Sequence, residues 1–243
     1  MAAFLDRIRT RTSDSLPEHP EVQAYLTGER KLPESCVDAY KVGYTDALTV
    51  RPEDSDEFRE LKKETRDFKG LQRRILFPAT NCIGGTLGFS TRRLVDELDE
   101  NGKKYPRYRT YMSPEAKVTG AFFGIEQALP AMVEKGFVYV VEGAVDCMSM
   151  SLAFPNVVST LTSMVTESQM WTLSMLVDRV VVAFDSDEPG RKGAEMLRER
   201  YGDKVVKVME LGYHDANTAL VTLGHSAFKR YANNKLKFVN FTI

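Results

Sequence analysis

The chain is poor in the residues that build small stapled modules. Its three cysteines, Cys36, Cys82 and Cys147, lie far apart and form no CxxC pair. That excludes a zinc ribbon within this sequence and points to a reducing compartment. No GxxxxGK[ST] stretch occurs, so phosphate-loop ATPase chemistry is not carried here. No apolar run approaches the roughly 18 residues that a membrane span requires. The opening MAAFLDRIRTRT lacks the apolar centre of a secretory signal. Net charge is also missing, because 33 Lys+Arg against 34 Asp+Glu leave −1, and that average names no partner. Internal repeats and low-complexity segments are absent as well.

What is present is globular. Hydrophobic residues at 43% and charged residues at 28% can build a core, unlike a disordered chain. Length allows one large domain or two small ones. Charge is concealed in the average: residues 1–58 carry −5, 59–117 carry +6, 118–137 carry −1, 138–220 carry −5 and 221–243 carry +4. A basic block beside an acidic block suits a polyanion handled with metals, the basic part holding phosphates and the acidic part cations. Uneven charge is also what a solvated surface shows.

The pattern along the chain predicts loose order over 1–20, helices over 20–26 and 33–40, and an acidic surface loop over 51–57. A strand over 75–77 is expected to stop at Pro78. Gly84-Gly85 supplies a hairpin turn before a strand over 86–89, and 94–104 reads as a polar hairpin tip. From Phe137 the pattern changes. FVYVV, NVVST, VVVAF and VVKVM are short β-branched runs, separated by helical segments of about ten residues. Thr166-Glu-Ser-Gln169 is a capping box, and Pro189 sits at a first helical turn. This alternation predicts an α/β fold, a parallel sheet with helices on both faces. Ligands of such sheets bind beyond the carboxyl ends of the strands.

The acidic residues fall at those ends. Glu142 follows the first strand and Asp146 lies one helical turn later. Asp185 and Asp187 follow the third strand, and Asp215 the fourth. Clustered carboxylates raise one another's pKa, and hard divalent cations with oxygen ligands relieve them. Acidic residues also cap helices that follow strands. Capping accounts for Asp215 or Glu188 better than for an EGxxD and DxD pair.

That ordered set resembles a known family. VYVVEGAVD and VVAFDSDEPGRKGAE resemble the two signatures of a TOPRIM domain, and YHDAN the third acidic element of DnaG-type and phage primases. AYLTGERKLPESCVDAYKVGYTD, RRILFPATNCIGGTLGFSTRRL and YPRYRTYMSPEAKVTGAFFGIEQAL are similar to the upstream parts of the primase catalytic core. The resemblance covers roughly 20–223. The TOPRIM motifs are shared with topoisomerases and nucleases; the upstream stretch selects primase. The chain departs from the pattern at Thr162, in place of a glycine, at Ser186 within DxD, and at Asn217 in the third element.

The resemblance implies a TOPRIM-like parallel sheet preceded by a small mixed α+β basic subdomain. The expected parts are a helical lead-in over 1–58, a basic strand-rich subdomain over 59–136, a TOPRIM catalytic domain over 137–223 and a basic tail over 224–243. It implies a DNA-templated RNA polymerase making primers on single-stranded DNA from ribonucleoside triphosphates with Mg2+ or Mn2+. Asp185, Asp187 and Asp215 would bind metal. Glu142 would assist proton transfer or complete a metal site, with Asp146 behind it. Arg73, Arg74, Arg92, Arg107 and Lys117 would line the template and nucleotide groove. A replicative helicase or a separate zinc-containing module would supply template recognition. The setting would be cytoplasmic, host cytoplasm if phage-encoded. A TOPRIM-type nuclease and a non-catalytic nucleic-acid-binding subunit are the alternatives.

Other residues read more plainly. His214 reads as a surface histidine and Cys147 as core. Trp171 with Met148, Met150, Met164, Met170 and Met175 reads as apolar helix faces. Tyr105, Tyr108 and Tyr111, interleaved with Arg107 and Arg109, fit either base stacking or a core.

Overall fold

The computed structural model describes residues 2–46, 56, 72–98, 102, 104–162 and 164–236. The acidic segment 51–57 apart from Asp56, Ser163, and the end of the basic tail lie outside these residues. Among the described residues, eight strands form two sheets. Strands β1 (Gly43–Thr45), β2 (Arg74–Thr80), β3 (Thr86–Arg92) and β4 (Tyr108–Met112) make an antiparallel sheet in that order. Strands β5 (Phe137–Val141), β6 (Val157–Ser159), β7 (Arg179–Val182) and β8 (Val206–Val208) make a parallel sheet ordered β6-β5-β7-β8. The β-branched runs that predicted the parallel sheet contain its strands; β5, β6 and β7 are mostly buried between helices, while the edge strand β8 buries Val206 and leaves Val208 exposed. Among the described residues no helix is long and apolar enough to cross a membrane.

The second half follows the sequence closely. The capping box at Thr166 and Gln169 forms with both bonds and opens the helix Glu167–Leu176. Pro189 stands in the first turn of the helix Glu188–Tyr201. The helices Ala144–Ser151 and Ala216–Leu223 follow β5 and β8. Tyr139 and Val141 of β5 pack in one apolar cluster with Leu26, Val37 and Tyr40 from the N-terminal region.

Three expectations fail, each for a physical reason. Residues 2–15 are a helix, not a loose segment. Phe4, Leu5 and Ile8 are 1%, 2% and 0% exposed against Leu76, Phe89 and Tyr111. With only three apolar residues, interrupted by Asp6 and Arg7, that spacing is obscure in the sequence. Asp6 accepts the Thr86 N–H at 2.8 Å and holds the helix to β3. Pro78 does not end β2, which continues to Thr80 opposite β3. β1 pairs only as far as Leu76 and Phe122 bridges Thr80, so Pro78 lies on the stretch of β2 edge between them, where proline is tolerated. The methionine set divides: Met148, Met150 and Met170 are core, while Met164, Trp171 and Met175 are exposed. The Glu167–Leu176 helix turns Met170 and Leu173 inward, so Trp171 and Met175 fall on its outer side. Cys147 is core, as read.

Candidate active site

The carboxyl ends of β5 and β7 are adjacent, and the acidic residues emerge there. Glu142 leaves β5 one residue past its end, and its Oε1 accepts the Asp185 N–H at 3.2 Å. This bond ties the EGxxD turn to the DxD turn across the sheet. Asp187 caps the Glu188–Tyr201 helix through a 2.9 Å bond from the Gly190 N–H. Asp215 caps Ala216–Leu223 through a 2.6 Å bond from the Thr218 N–H. Capping therefore holds for both, and it fixes where each carboxylate stands. Asp146 lies in the first turn of its helix and accepts the Asn217 N–H at 3.0 Å.

These carboxylates are close, partly buried and without enough positive charge. Burial, then the charge of Asp185, pushes Glu142 up to about 7. Burial, then Asp215, pushes Asp185 up to about 6, with His214 opposing. Burial, then Asp215, pushes Asp146 up to about 8. Ligand atoms of Asp185, His214 and Asp215 lie within 4.8 Å of one another. Two carboxylates and an imidazole in that space, with Glu142 beside Asp185, fit a hard divalent cation, which would restore the charged forms. Asp187 and Asp146 stand outside that group.

A pH dependence follows. Raised folded-state values mean that the folded protein binds more protons than the unfolded chain. Their stabilising contribution is complete below the ordinary carboxylate value near about 4 and is lost as pH rises through the folded values. In chelator the melting temperature is expected to fall between pH 5 and pH 8, and added Mg2+ to recover it at pH 8. A metal-free protein that grows more stable over that interval would contradict the assignment of these groups.

Facing the carboxylates is the antiparallel sheet. A cleft of about 310 Å³ is lined by Glu142, Asp146, Asp185 and Asp215 on one side and by Phe77, Ser90, Tyr108 and Thr110 on the other. The five basic residues singled out in the sequence are not equivalent. Arg74 is fully buried and donates to the Pro106 and Arg107 carbonyls at 2.6 and 3.1 Å. Burial holds its guanidinium down at about 10. It shapes the loop before β4 and is not turned to solvent. Arg92 is 7% exposed, lies 4.4 Å from the Tyr25 ring and 5.3 Å from the Tyr108 ring, and donates to the Tyr108 hydroxyl at 2.7 Å. Arg73 and Arg107 are exposed near Glu97 and Asp96. Lys117 is exposed beside a smaller cavity that shares Thr110 and Thr162 with the cleft. Of the tyrosines, Tyr111 is buried, Tyr108 is exposed, and Tyr105 lies under the Arg93 guanidinium at 4.8 Å.

Sequence reasoning passed over two contributors. His214 is exposed, as read, yet its Nδ1 is 3.4 Å from Asp215; adjacency to Asp215 was its only signal. Arg30 comes from the distant N-terminal region and has no signal in local sequence. Its Nη1 donates to the Asn217 Oδ1 at 3.0 Å.

Comparison with known proteins agrees with this architecture. Residues 139–220 match the family described as Toprim-like. A DNA primase of Chlamydia pneumoniae is 28% identical over 240 residues, 94% of this chain and 40% of that protein. A DNA primase of Aquifex aeolicus is 28% identical over 77% of this chain and 39% of its own length. The chain thus spans about two fifths of these curated relatives. A solved DnaG catalytic core superposes with a TM-score of 0.78 at 20% identity, covering 96% of this chain and 79% of that one. The zinc-binding and RNA polymerase domains of the Aquifex aeolicus primase give 0.73 at 24% identity, covering 96% of this chain and 60% of that one. A DnaG catalytic domain bound to single-stranded DNA gives 0.77 at 20% identity, over 96% of this chain and 80% of that one.

Proposed function

We propose that this chain, which joins a Toprim-like domain to the fold of bacterial primase catalytic cores, is the catalytic core of a DNA primase. It would copy single-stranded DNA into short RNA from ribonucleoside triphosphates. The observation that carries the reading is the shared cleft. Carboxylates at the ends of a parallel sheet look across it at Phe77, Ser90, Tyr108 and Thr110 of an antiparallel sheet, with Arg30 also in the lining. Cleaving a strand needs only the first wall. Building a strand on a template also needs a surface to hold that template beside the metals.

In the reaction the 3′-oxygen of the growing RNA attacks the α-phosphorus of the incoming nucleotide. A new O–P bond forms while the bond to the pyrophosphate oxygen breaks, and pyrophosphate leaves with that electron pair. Bound Mg2+ or Mn2+ would acidify the attacking hydroxyl and neutralise the leaving group. Asp185 and Asp215, with His214 beside them, would hold it. Asp187 would approach from its helix cap and Asp146 would stand behind. Glu142, whose Oε1 is tied to the Asp185 N–H at the mouth of the cleft, would accept the hydroxyl proton. Arg73, Arg107 and Lys117 would meet strand phosphates, with Arg92 reaching the cleft through the Tyr108 hydroxyl. A helicase or a zinc-containing module supplied separately would add sequence selectivity, since phosphate contacts position a strand without reading it.

The test is incubation with single-stranded DNA, labelled ribonucleotides and Mg2+ or Mn2+. Short RNA supports the reading. Shortened DNA would instead select the nuclease, and neither product the accessory subunit. Binding to single-stranded DNA is expected to weaken steeply as salt rises, because each neutralised phosphate releases counterions. Arg107→Ala is expected to weaken it by about 1 kcal/mol, the scale of a charged hydrogen bond offset by solvent. Affinity that is flat between 50 and 200 mM salt, as judged by about the same Kd, would contradict the groove.

A further inference from the structure

The loop after β8 brings two unlike donor groups to the acidic centre. Asp215 brings a carboxylate whose side chain is 22% exposed, and His214 beside it an imidazole that is 59% exposed. With Asp185 they offer three ligand atoms within 4.8 Å of one another. The backbone holds His214 in this place. Its carbonyl accepts the Ser186 N–H at 2.8 Å, and Ser186 stands between Asp185 and Asp187. The loop after β8 is thereby fastened to the DxD turn after β7. Asn217, two residues beyond Asp215, is occupied elsewhere. Its Nδ2 donates to the Arg30 carbonyl and the Ser149 hydroxyl, and its Oδ1 accepts from the Arg30 guanidinium. That leaves His214 as the neighbour of Asp215 that can add a donor atom to the centre.

A plain ion pair with Asp215 is the simpler account of this imidazole, but the distance is long for one. The His214 Nδ1 is 3.4 Å from the Asp215 carboxylate oxygen, whereas a charge-assisted N–H···O bond closes to about 2.7–2.9 Å. Two atoms that share one ion at about 2.1 Å each stand roughly 3 to 3.5 Å apart. The nature of the donors then bears on which ion is held. Carboxylates serve Mg2+ and Mn2+ alike. A neutral imidazole nitrogen serves Mg2+ poorly, because that ion takes oxygen ligands and keeps its waters, while first-row transition ions accept nitrogen. We infer that His214 is a nitrogen ligand of the metal centre and turns its preference to Mn2+ over Mg2+. The inference rests on the primase reading for the use of that ion in catalysis, and on the donor set alone for its binding.

The chain has three histidines, so a nitrogen signal can be assigned by substitution. His225 is engaged with the Lys31 carbonyl, and His19 lies beside Glu21 and Asp46. The experiment titrates the full chain with Mn2+ and with Mg2+ by calorimetry and records the nitrogen-14 spin-echo modulation of bound Mn2+. Both are repeated on His214→Ala, His214→Asp and His19→Ala. Wild type and His19→Ala are expected to show the modulation and to bind Mn2+ more tightly than Mg2+. His214→Ala is expected to lose the modulation and to weaken Mn2+ binding about tenfold or more, no less than the loss of a residue that merely supports a ligand. Its Mg2+ affinity should change less. His214→Asp is expected to hold Mn2+ without the modulation and to bring the two ions closer in affinity. Bound Mn2+ without nitrogen modulation in wild type, or modulation that survives in His214→Ala, would overturn the inference. So would a Mn2+ to Mg2+ preference equal in wild type and His214→Ala. Absence of RNA synthesis from a wild-type chain that shows nitrogen-bound Mn2+ would fault the primase reading and leave the ligand standing.

Discussion

Asp185→Asn is expected to reduce ribonucleotide incorporation by about a hundredfold or more, the scale seen when one preorganised charge-stabilising group is lost. The same variant is expected to melt no lower than wild type in chelator at pH 8. Asp185 is half-buried, its charge is opposed by Asp215, and its pKa is pushed up to about 6. Its charged form therefore works against folding when no cation is present, and a neutral isostere relieves that. Loss of activity together with a gain or no change in metal-free stability separates a functional carboxylate from a structural one. A marked fall in melting would make Asp185 structural. Asp187 needs different handling, because its side chain caps a helix. Asp187→Ala would remove that cap at a cost of about 1 kcal/mol, so asparagine is the informative substitution there too.

Gly190→Ala is expected to abolish activity nearly as completely, although it changes no charged residue. A Cβ at this position would fall 2.2 Å from the Asp185 carbonyl oxygen and 2.8 Å from the Glu142 Oε1. The first of these atoms is backbone and cannot swing aside. Either the helix carrying Asp187 must move out or the DxD turn must move, and both displace the carboxylates. Overpacking of this kind costs about 1–3 kcal/mol. A shift of an ångström at the site is enough for a large loss of rate. Gly28→Ala is the control, since nothing lies within 4 Å of its added Cβ, and activity and melting should be unchanged or slightly improved. A fully active Gly190→Ala would mean that the close approach of helix and turn is not required.

How much of this was legible in the sequence depended on whether the signal was local. The parallel sheet announced itself because its strands lie in runs rich in β-branched residues and the helices after β6, β7 and β8 open on side-chain caps at Thr166, Asp187 and Asp215. Glu142, Asp185, Asp187 and Asp215 were legible for the same reason, each standing just past a strand. The N-terminal helix was not, because Phe4, Leu5 and Ile8 are few, are interrupted by Asp6 and Arg7, and find their partners far along the chain at Leu76, Phe89 and Tyr111. Arg74 reads like its neighbour Arg73 in sequence, and only the register of β2 shows that one is interior and the other exposed. Arg30 and Asn217 are 187 positions apart, and no pattern along the chain pairs them. Motifs were visible where function follows chain order, and invisible where the fold brings distant residues to one cleft.

The measurement closest to the central claim is template dependence. The purified chain would be given homopolymeric dT or dC single strands, Mg2+ or Mn2+, and each labelled ribonucleotide separately. RNA synthesis directed by the second wall of the cleft predicts incorporation of AMP alone on dT and of GMP alone on dC, lost in Asp185→Asn. Incorporation indifferent to the template, or shortening of the DNA without any RNA, would contradict it.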